Sequence, residues 1–251
     1  MTLIERVRET AMTEGADLVG VADLGVVNEA VVAQGGPLFT GYPRAVSIGI
    51  GLADPLVDRL EEPSDRAARA VYHYHTHTVV NNALDRCALA VTRCLAAAGY
   101  RALPIPASLR TDEEGRAGPV SHKLAAHLAG LGWIGRSCLL VTPGRGPRVR
   151  WITVLTDAPL LPTGGPSDPD CGSCRACVEA CPAGAFTGRA FVPDEPREAR
   201  FDAAACDRYH RALEEAGEPA ACGRCVAACP WGRREETRGP DGGDGPYHPL
   251  V

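Results

Sequence analysis

Eight cysteines between Cys171 and Cys229 constrain this chain more than any other feature. The run Cys171-x2-Cys174-x2-Cys177-x3-Cys181-Pro182 has the spacing in which three thiolates grip one cubane and the fourth reaches across to another. A partner motif is therefore required downstream, and Cys222-x2-Cys225-x3-Cys229-Pro230 supplies its last three positions. The first position of that partner would fall on Pro219, which leaves Cys206 to complete the set. The crossover rule then assigns one [4Fe–4S] cluster to Cys171, Cys174, Cys177 and Cys229, and the other to Cys181, Cys206, Cys222 and Cys225.

Two rival uses of cysteine are weaker. The stretch Met1 to Gly15 mixes Glu and Arg among its apolar residues, unlike a secretory signal, so the expected compartment is the reducing cytoplasm, where disulfides rarely persist. Structural zinc uses Cys-x2-Cys pairs, but it does not require a triplet followed by x3-Cys-Pro, let alone twice. No apolar run approaches the ~20 residues of a membrane span. A net charge of −5 gives tRNA, or any other polyanion, no overall electrostatic support.

Ahead of the cysteines the chain reads as α+β. Leu3, Ile4, Val7 and Ala11 lie at helical spacing, and Asp17 to Asp23 reads as a buried strand. Ala45 to Leu52 is a second strand, its glycines either thinning the pleat or admitting a ligand to the backbone. Pro63-Ser64-Asp65 marks a helix start. Val80, Leu84, Cys87, Val91 and Cys94 form one helical stripe, which makes Cys87 and Cys94 core residues. After an extended segment at 102–106 and a polar loop at 110–118, Ser121 is the expected N-cap of a further helix. Residues 137–142 and 149–156 read as strands, and the Pro-Gly-Arg-Gly-Pro link at 143–147 suggests an antiparallel hairpin. The expected organisation is an α+β domain over 1–160, a ferredoxin-like double-cluster domain over 170–232 and a loosely ordered tail over 233–251.

Several residues stand out chemically. Gly130-x-Gly132-x-x-Gly135 matches a dinucleotide fingerprint, yet it follows a helix and precedes a strand, the reverse of what phosphate binding requires. Its small side chains let a flat cofactor approach the backbone instead, with Trp133 as an apolar wall or a core residue. Lys123 is the only lysine among 26 basic residues, and a compact titratable ammonium is a role guanidinium cannot fill. His122 beside it is a candidate for proton transfer near neutral pH. His73, His75 and His77 share a face on a strand, whereas His73 and His77 pair on a helix; a polar pocket wall suits them better than a metal site. Cys138 reads as core, with a ligand or nucleophile role as the alternative.

His122-Lys-Leu-Ala-Ala-His-Leu-Ala-Gly-Leu-Gly-Trp-Ile-Gly135, Gly146-Pro-Arg-Val-Arg150, Val154 to Leu160, Cys229-Pro-Trp231 and the distant Cys206 together resemble the epoxyqueuosine reductase family over roughly residues 1–232. Reductive dehalogenases are more distant relatives. The resemblance implies a flavin-nitroreductase-like α+β domain, two [4Fe–4S] clusters and cobalamin, with corrinoid contacts near Gly130, Gly132, Trp133 and Gly135. It departs from the family where a proton-donating aspartate is expected: that place holds Arg116, with Asp112, Glu113 and Glu114 as the nearby carboxylates. The expected function is reduction of a small molecule or modified nucleoside, with electrons from a low-potential donor such as ferredoxin or flavodoxin. Epoxyqueuosine reduction itself is not the activity expected. The alternative is an electron-transfer or corrinoid-handling protein without chemistry of its own. Catalytic candidates are Lys123, His122 and Asp112.

Overall fold

A computed structural model describes residues 1–112, 116–168, 170–193 and 195–233. Glu113 and Glu114, and the expected tail beyond Arg233, lie outside the described residues.

The chain opens with α1 (Leu3–Thr13) and β1 (Leu18–Asp23). Thr2 fixes the start of α1 through a capping box: its side chain accepts from Glu5 N–H, and the Glu5 carboxylate accepts from Thr2 N–H. Next come α2 (Asn28–Gly35), β2 (Arg44–Gly51), α3 (Asp54–Asp58) and α4 (Arg66–Tyr74), the last capped by the Asp65 side chain as its sequence suggested. A π-helical stretch, His75–Val80, joins α4 to α5 (Asn81–Ala97). Then follow β3 (Ala102–Ile105), α6 (His122–Leu128), β4 (Trp133–Ile134), β5 (Leu140–Val141) and β6 (Val149–Thr156). Ser121 caps α6, accepting from Leu124 N–H.

Four strands form one antiparallel sheet in the order β1-β2-β6-β3. Period-two alternation sends Val46, Ile48, Ile152 and Val154 to the face packed by α1 and α5, where Val7, Leu84, Cys87 and Val91 are buried. Ala22, Ala45, Ile105 and Leu155 belong to a second cluster with Val31, Ala125 and Leu128 from α2 and α6. Each large aliphatic side chain buried this way stabilises the fold by about 1.5–3 kcal/mol. Pro104 is tolerated because β3 is an edge strand. Of the two readings of the β2 glycines, thinning holds at Gly49, where an added Cβ would lie 2.7 Å from the Trp151 ring.

The expected hairpin between 137–142 and 149–156 does not form. β5 pairs with β4, Trp133 opposite Val141, whereas β6 crosses into the sheet between β2 and β3. The 143–147 link closes on itself, Thr142 and Gly146 exchanging backbone hydrogen bonds of 2.9 Å. Cys138, expected at the start of a strand, sits instead in a tight turn with φ 54°.

The cysteine-bearing segment adds α7 (Ala176–Glu179), α8 (Ala203–Glu215) and α9 (Arg224–Ala227). Ala221, Val226 and Ala227 join the main core alongside Leu60 and Tyr72. No helix among the described residues is long and apolar enough to cross a membrane.

Candidate cluster-binding site

Short helices α7 and α9 pack against each other, and each carries one cysteine of a triplet: Cys177 on α7 and Cys225 on α9. Anchoring contacts hold this pair to the α+β body. Arg69 pairs with Glu218, and His73 Nδ1–H donates to the Ala220 carbonyl at 3.1 Å. Gly223 lies so close to Leu60 and Tyr72 that a Cβ there would meet both at 2.5–2.8 Å.

Cys171, Cys174, Cys177 and Cys229 line one cavity, and the remaining thiols are electrostatic neighbours of one another. Burial, and then the neighbouring Cys229, Cys171 and Cys174, push the Cys177 thiol up to about 11. Burial, followed by Cys181 and Cys222, pushes Cys206 up to about 11 as well. Cys225 is raised by burial and by Cys222, Cys206 and Cys181, with Cys177 of the other set as a further neighbour, so the sets meet there. Thiols gathered and desolvated like this ionise only with cationic metal to compensate them.

Cys171, Cys174, Cys177 and Cys229 ring a small cavity completed by Gly135, Arg136, Ser137, Val141, Pro230 and Trp231. A ring suits a cubane, in which each thiolate binds its own iron, whereas zinc draws four ligands to about 2.3 Å of one point. Among the described residues no three His, Cys, Asp or Glu side chains converge on a single-ion site. Backbone N–H groups are directed at the sulfurs. Ala185 N–H donates to Cys181 Sγ at 3.4 Å, Gly232 N–H donates to the Cys229 carbonyl at 3.1 Å, and the nearby backbone of Trp231 and Arg224 favours the thiolates of Cys229 and Cys222. Such bonds stabilise thiolate charge and help set cluster potential.

The first set lies toward solvent. Cys174 is exposed, and Trp231, 39% exposed, meets buried Trp133 edge to face at 4.8 Å. Arg136 donates to the Gly172 carbonyl at 2.6 Å, tying the glycine loop to the first cysteines. The second set is half-buried, and its Cys225 and Cys222 act on the Tyr72 phenol.

The glycine loop serves the chain itself. A Cβ on Gly130 would lie 2.9 Å from Gly164 Cα, and one on Gly132 would lie 2.2 Å from the Val141 carbonyl oxygen. A Cβ on Gly135 would lie 3.4 Å from Cys171 Sγ. The Cβ positions of Gly130, Gly132 and Gly135 are thus crowded by the chain's own backbone at the first two and by Val141 and Cys171 at the third. Trp133, for which wall and core were both open, is buried.

Lys123 donates from Nζ to the Cys138 carbonyl at 2.6 Å, and burial pushes its ammonium below the ordinary lysine range. His122 is held at both nitrogens. Nε2–H donates to the Pro106 carbonyl at 3.3 Å, so Nδ1 accepts from the Thr153 hydroxyl at 2.9 Å. Burial lowers its pKa to about 4, below the neutral range in which proton exchange was expected of it. Asp112 is exposed and exchanges backbone hydrogen bonds with Ala117. Arg116, at φ 50°, reaches Asp207 of α8 at 3.1 Å. His73 and His77 pair as on a helix, ring centroids 5.0 Å apart.

Asn81, Asp207 and His210 were not singled out by sequence, and Arg150 entered only as the end of a family motif, with no role. Arg150 Nε–H donates to Asn81 Oδ1 at 3.0 Å, and His210 lies beside Asp207 and His73. An arginine interrupting the otherwise buried strand Val149–Thr156 was the signal available for Arg150.

Residues 170–232 match the family model of the 4Fe-4S double cluster binding domain. The epoxyqueuosine reductase of Vibrio cholerae serotype O1 is 26% identical over 217 residues, covering 80% of this chain and 53% of that protein. That of Synechococcus sp. (strain RCC307) is 34% identical over 123 residues, covering 49% of this chain and 38% of the relative. The chain therefore spans about half or less of the curated relatives' length. Among solved structures, the catabolic reductive dehalogenase NpRdhA in complex with 3-bromo-4-hydroxybenzoic acid superposes with a TM-score of 0.67 at 23% identity, over 91% of this chain and 31% of that one. An epoxyqueuosine reductase with an epoxyqueuosine-modified tRNA stem loop gives 0.57 at 20% identity, over 92% and 65%. At these identities the likeness establishes a shared fold.

Proposed function

The chain is a relative of the epoxyqueuosine reductase family, and from that premise we propose that it is an iron–sulfur reductase passing single electrons through two [4Fe–4S] clusters to an acceptor on the Tyr72 side. The observation that carries this reading is the sorting of eight thiols into two sets of four that meet between Cys177 and Cys225. Bound clusters supply one-electron transfer at low potential. The chain supplies their burial, the N–H donors on their sulfurs and a graded exposure, from solvent at Cys174 to the interior at Tyr72. On this reading a ferredoxin or flavodoxin delivers electrons at the Cys174 side. Residues 1–160, read as a flavin-nitroreductase-like domain, hold the acceptor, which is a small molecule, a corrinoid or a modified nucleoside.

A corrinoid is the first acceptor to test because a reductive dehalogenase of the same fold is described by a B12-dependent mechanism. Since the glycine loop offers it no face at Gly130 and Gly132, no step is assigned to it here. The alternative, an electron carrier or corrinoid-handling protein, is favoured by one observation: His122 is held neutral with both nitrogens engaged, and Arg116 stands where a proton donor was expected. Anaerobic titration of iron-loaded protein with cob(II)alamin and a low-potential reductant separates the readings. Binding with iron-dependent reduction supports the reductase. Failure to bind, with clusters that still reduce, favours the carrier.

A further inference from the structure

Arg150 projects from β6 on the face that carries Ile152 and Val154, a position otherwise given to the apolar core. β3 ends at Ile105, opposite Thr153, so the stretch of β6 around Arg150 has no strand beyond it on that edge. Its guanidinium spends one N–H on the neutral amide oxygen of Asn81 at 3.0 Å, and among the described residues it pairs with no carboxylate. Asn81 is itself oriented for this, since its amide N–H groups donate to the His77 carbonyl and the Ser108 hydroxyl.

The surroundings add positive charge. Burial lowers the His77 pKa to about 4, and Arg150, His73, His210 and Arg110 all push it the same way. Three arginines converge on the Asp207 carboxylate of α8: Arg110 and Arg116 from the loop before α6 and Arg211 from α8 itself, at 3.8, 3.1 and 2.9 Å. In a chain of net charge −5 this is a local cluster of cationic groups. A desolvated guanidinium opposed by a neutral amide is an incomplete ion pair, and a bound anion completes it with paired N–H···O bonds.

We propose that Arg150, with Tyr72, His77 and Asn81 as walls, binds an oxyanion of the electron acceptor, a carboxylate or a phosphate, beside the second cysteine set. The assignment to the acceptor rests on the reductase reading, because the Tyr72 phenol feels both Arg150 and the cysteines Cys225 and Cys222. The site would select acidic acceptors and hold them one aromatic ring from the inner cluster.

The test uses the iron-loaded full chain under anaerobic conditions, titrated calorimetrically with inorganic phosphate and, separately, with benzoate. We expect one of these to bind, with affinity falling at least about tenfold in Arg150→Gln and partly restored in Arg150→Lys, as for a charge-assisted pair. Phosphate alone assigns a phosphate-bearing acceptor, and benzoate alone a carboxylate. The ligand-free Arg150→Gln protein should melt no lower than wild type, because an uncompensated cation has been removed. Absence of binding by both anions, or equal binding by wild type and Arg150→Gln, overturns the proposal. Iron content and the reduced-cluster resonance are read on the same samples. Their loss with anion binding intact would sink the reductase reading and leave the oxyanion site standing.

Discussion

Cys206 sits in the first turn of α8, displaced from the triplet it completes, and its thiol is raised by burial and by Cys181 and Cys222. Replacing it should cost one cluster and spare the other. Cys206→Ser is expected to lower iron from about eight to about four per chain, with one reduced-cluster resonance remaining. Retention of full iron would mean that another side chain is the ligand. His122 makes a prediction of a different kind. Its pKa falls from 6.5 to about 4 on folding, so below pH 6.5 the unfolded chain takes up a proton that the folded chain refuses. Stability is complete above that range and is lost as pH falls toward 4. Urea unfolding of wild type and His122→Gln at pH 7.5 and 5.5 should show the variant losing about 1 kcal/mol less between them. Identical slopes would contradict the account of His122.

At the scale of elements, the short β4–β5 pair depends on Gly132, whose φ of 155° and contact with the Val141 carbonyl leave no room for a Cβ. Gly132→Ala should destabilise the fold by at least about 2 kcal/mol in denaturant unfolding and release cluster iron, because the Gly135 to Val141 turn walls the first cavity. A neutral result would show that this turn is not tightly held. The same region marks where the sequence could and could not be read. Helices α1, α5 and α6 were legible from caps and apolar stripes, since both are local properties. The partner of residues 137–142 was not, because alternation specifies which face a side chain takes and says nothing of the neighbouring strand. Nor was the π-helical stretch His75–Val80, which sets His77 and Asn81 beside Arg150 without any distinctive composition. The double-cluster character of residues 170–232 was legible from spacing because cubane ligation is a geometric requirement written in residue intervals.

The whole molecule couples cluster binding to folding. Ala221, Val226 and Ala227 are buried in the same core as Leu84, Val91 and Ile152, while Cys222, Cys225 and Cys229 alternate with them along the chain. Ligand cysteines and core residues therefore share one short segment, and iron should stabilise more than the cysteine region alone. Helices α7 and α9, which carry Cys177 and Cys225, pack against each other, and under the proposed function electrons would enter near exposed Cys174 and leave toward Tyr72. The most direct test of this account is iron, sulfide and zinc content of anaerobically prepared protein, measured together with paramagnetic resonance after dithionite reduction. The account predicts about eight irons and eight sulfides per chain and interacting reduced [4Fe–4S] signals, as expected for two adjacent clusters. Two zincs with neither sulfide nor resonance would contradict it.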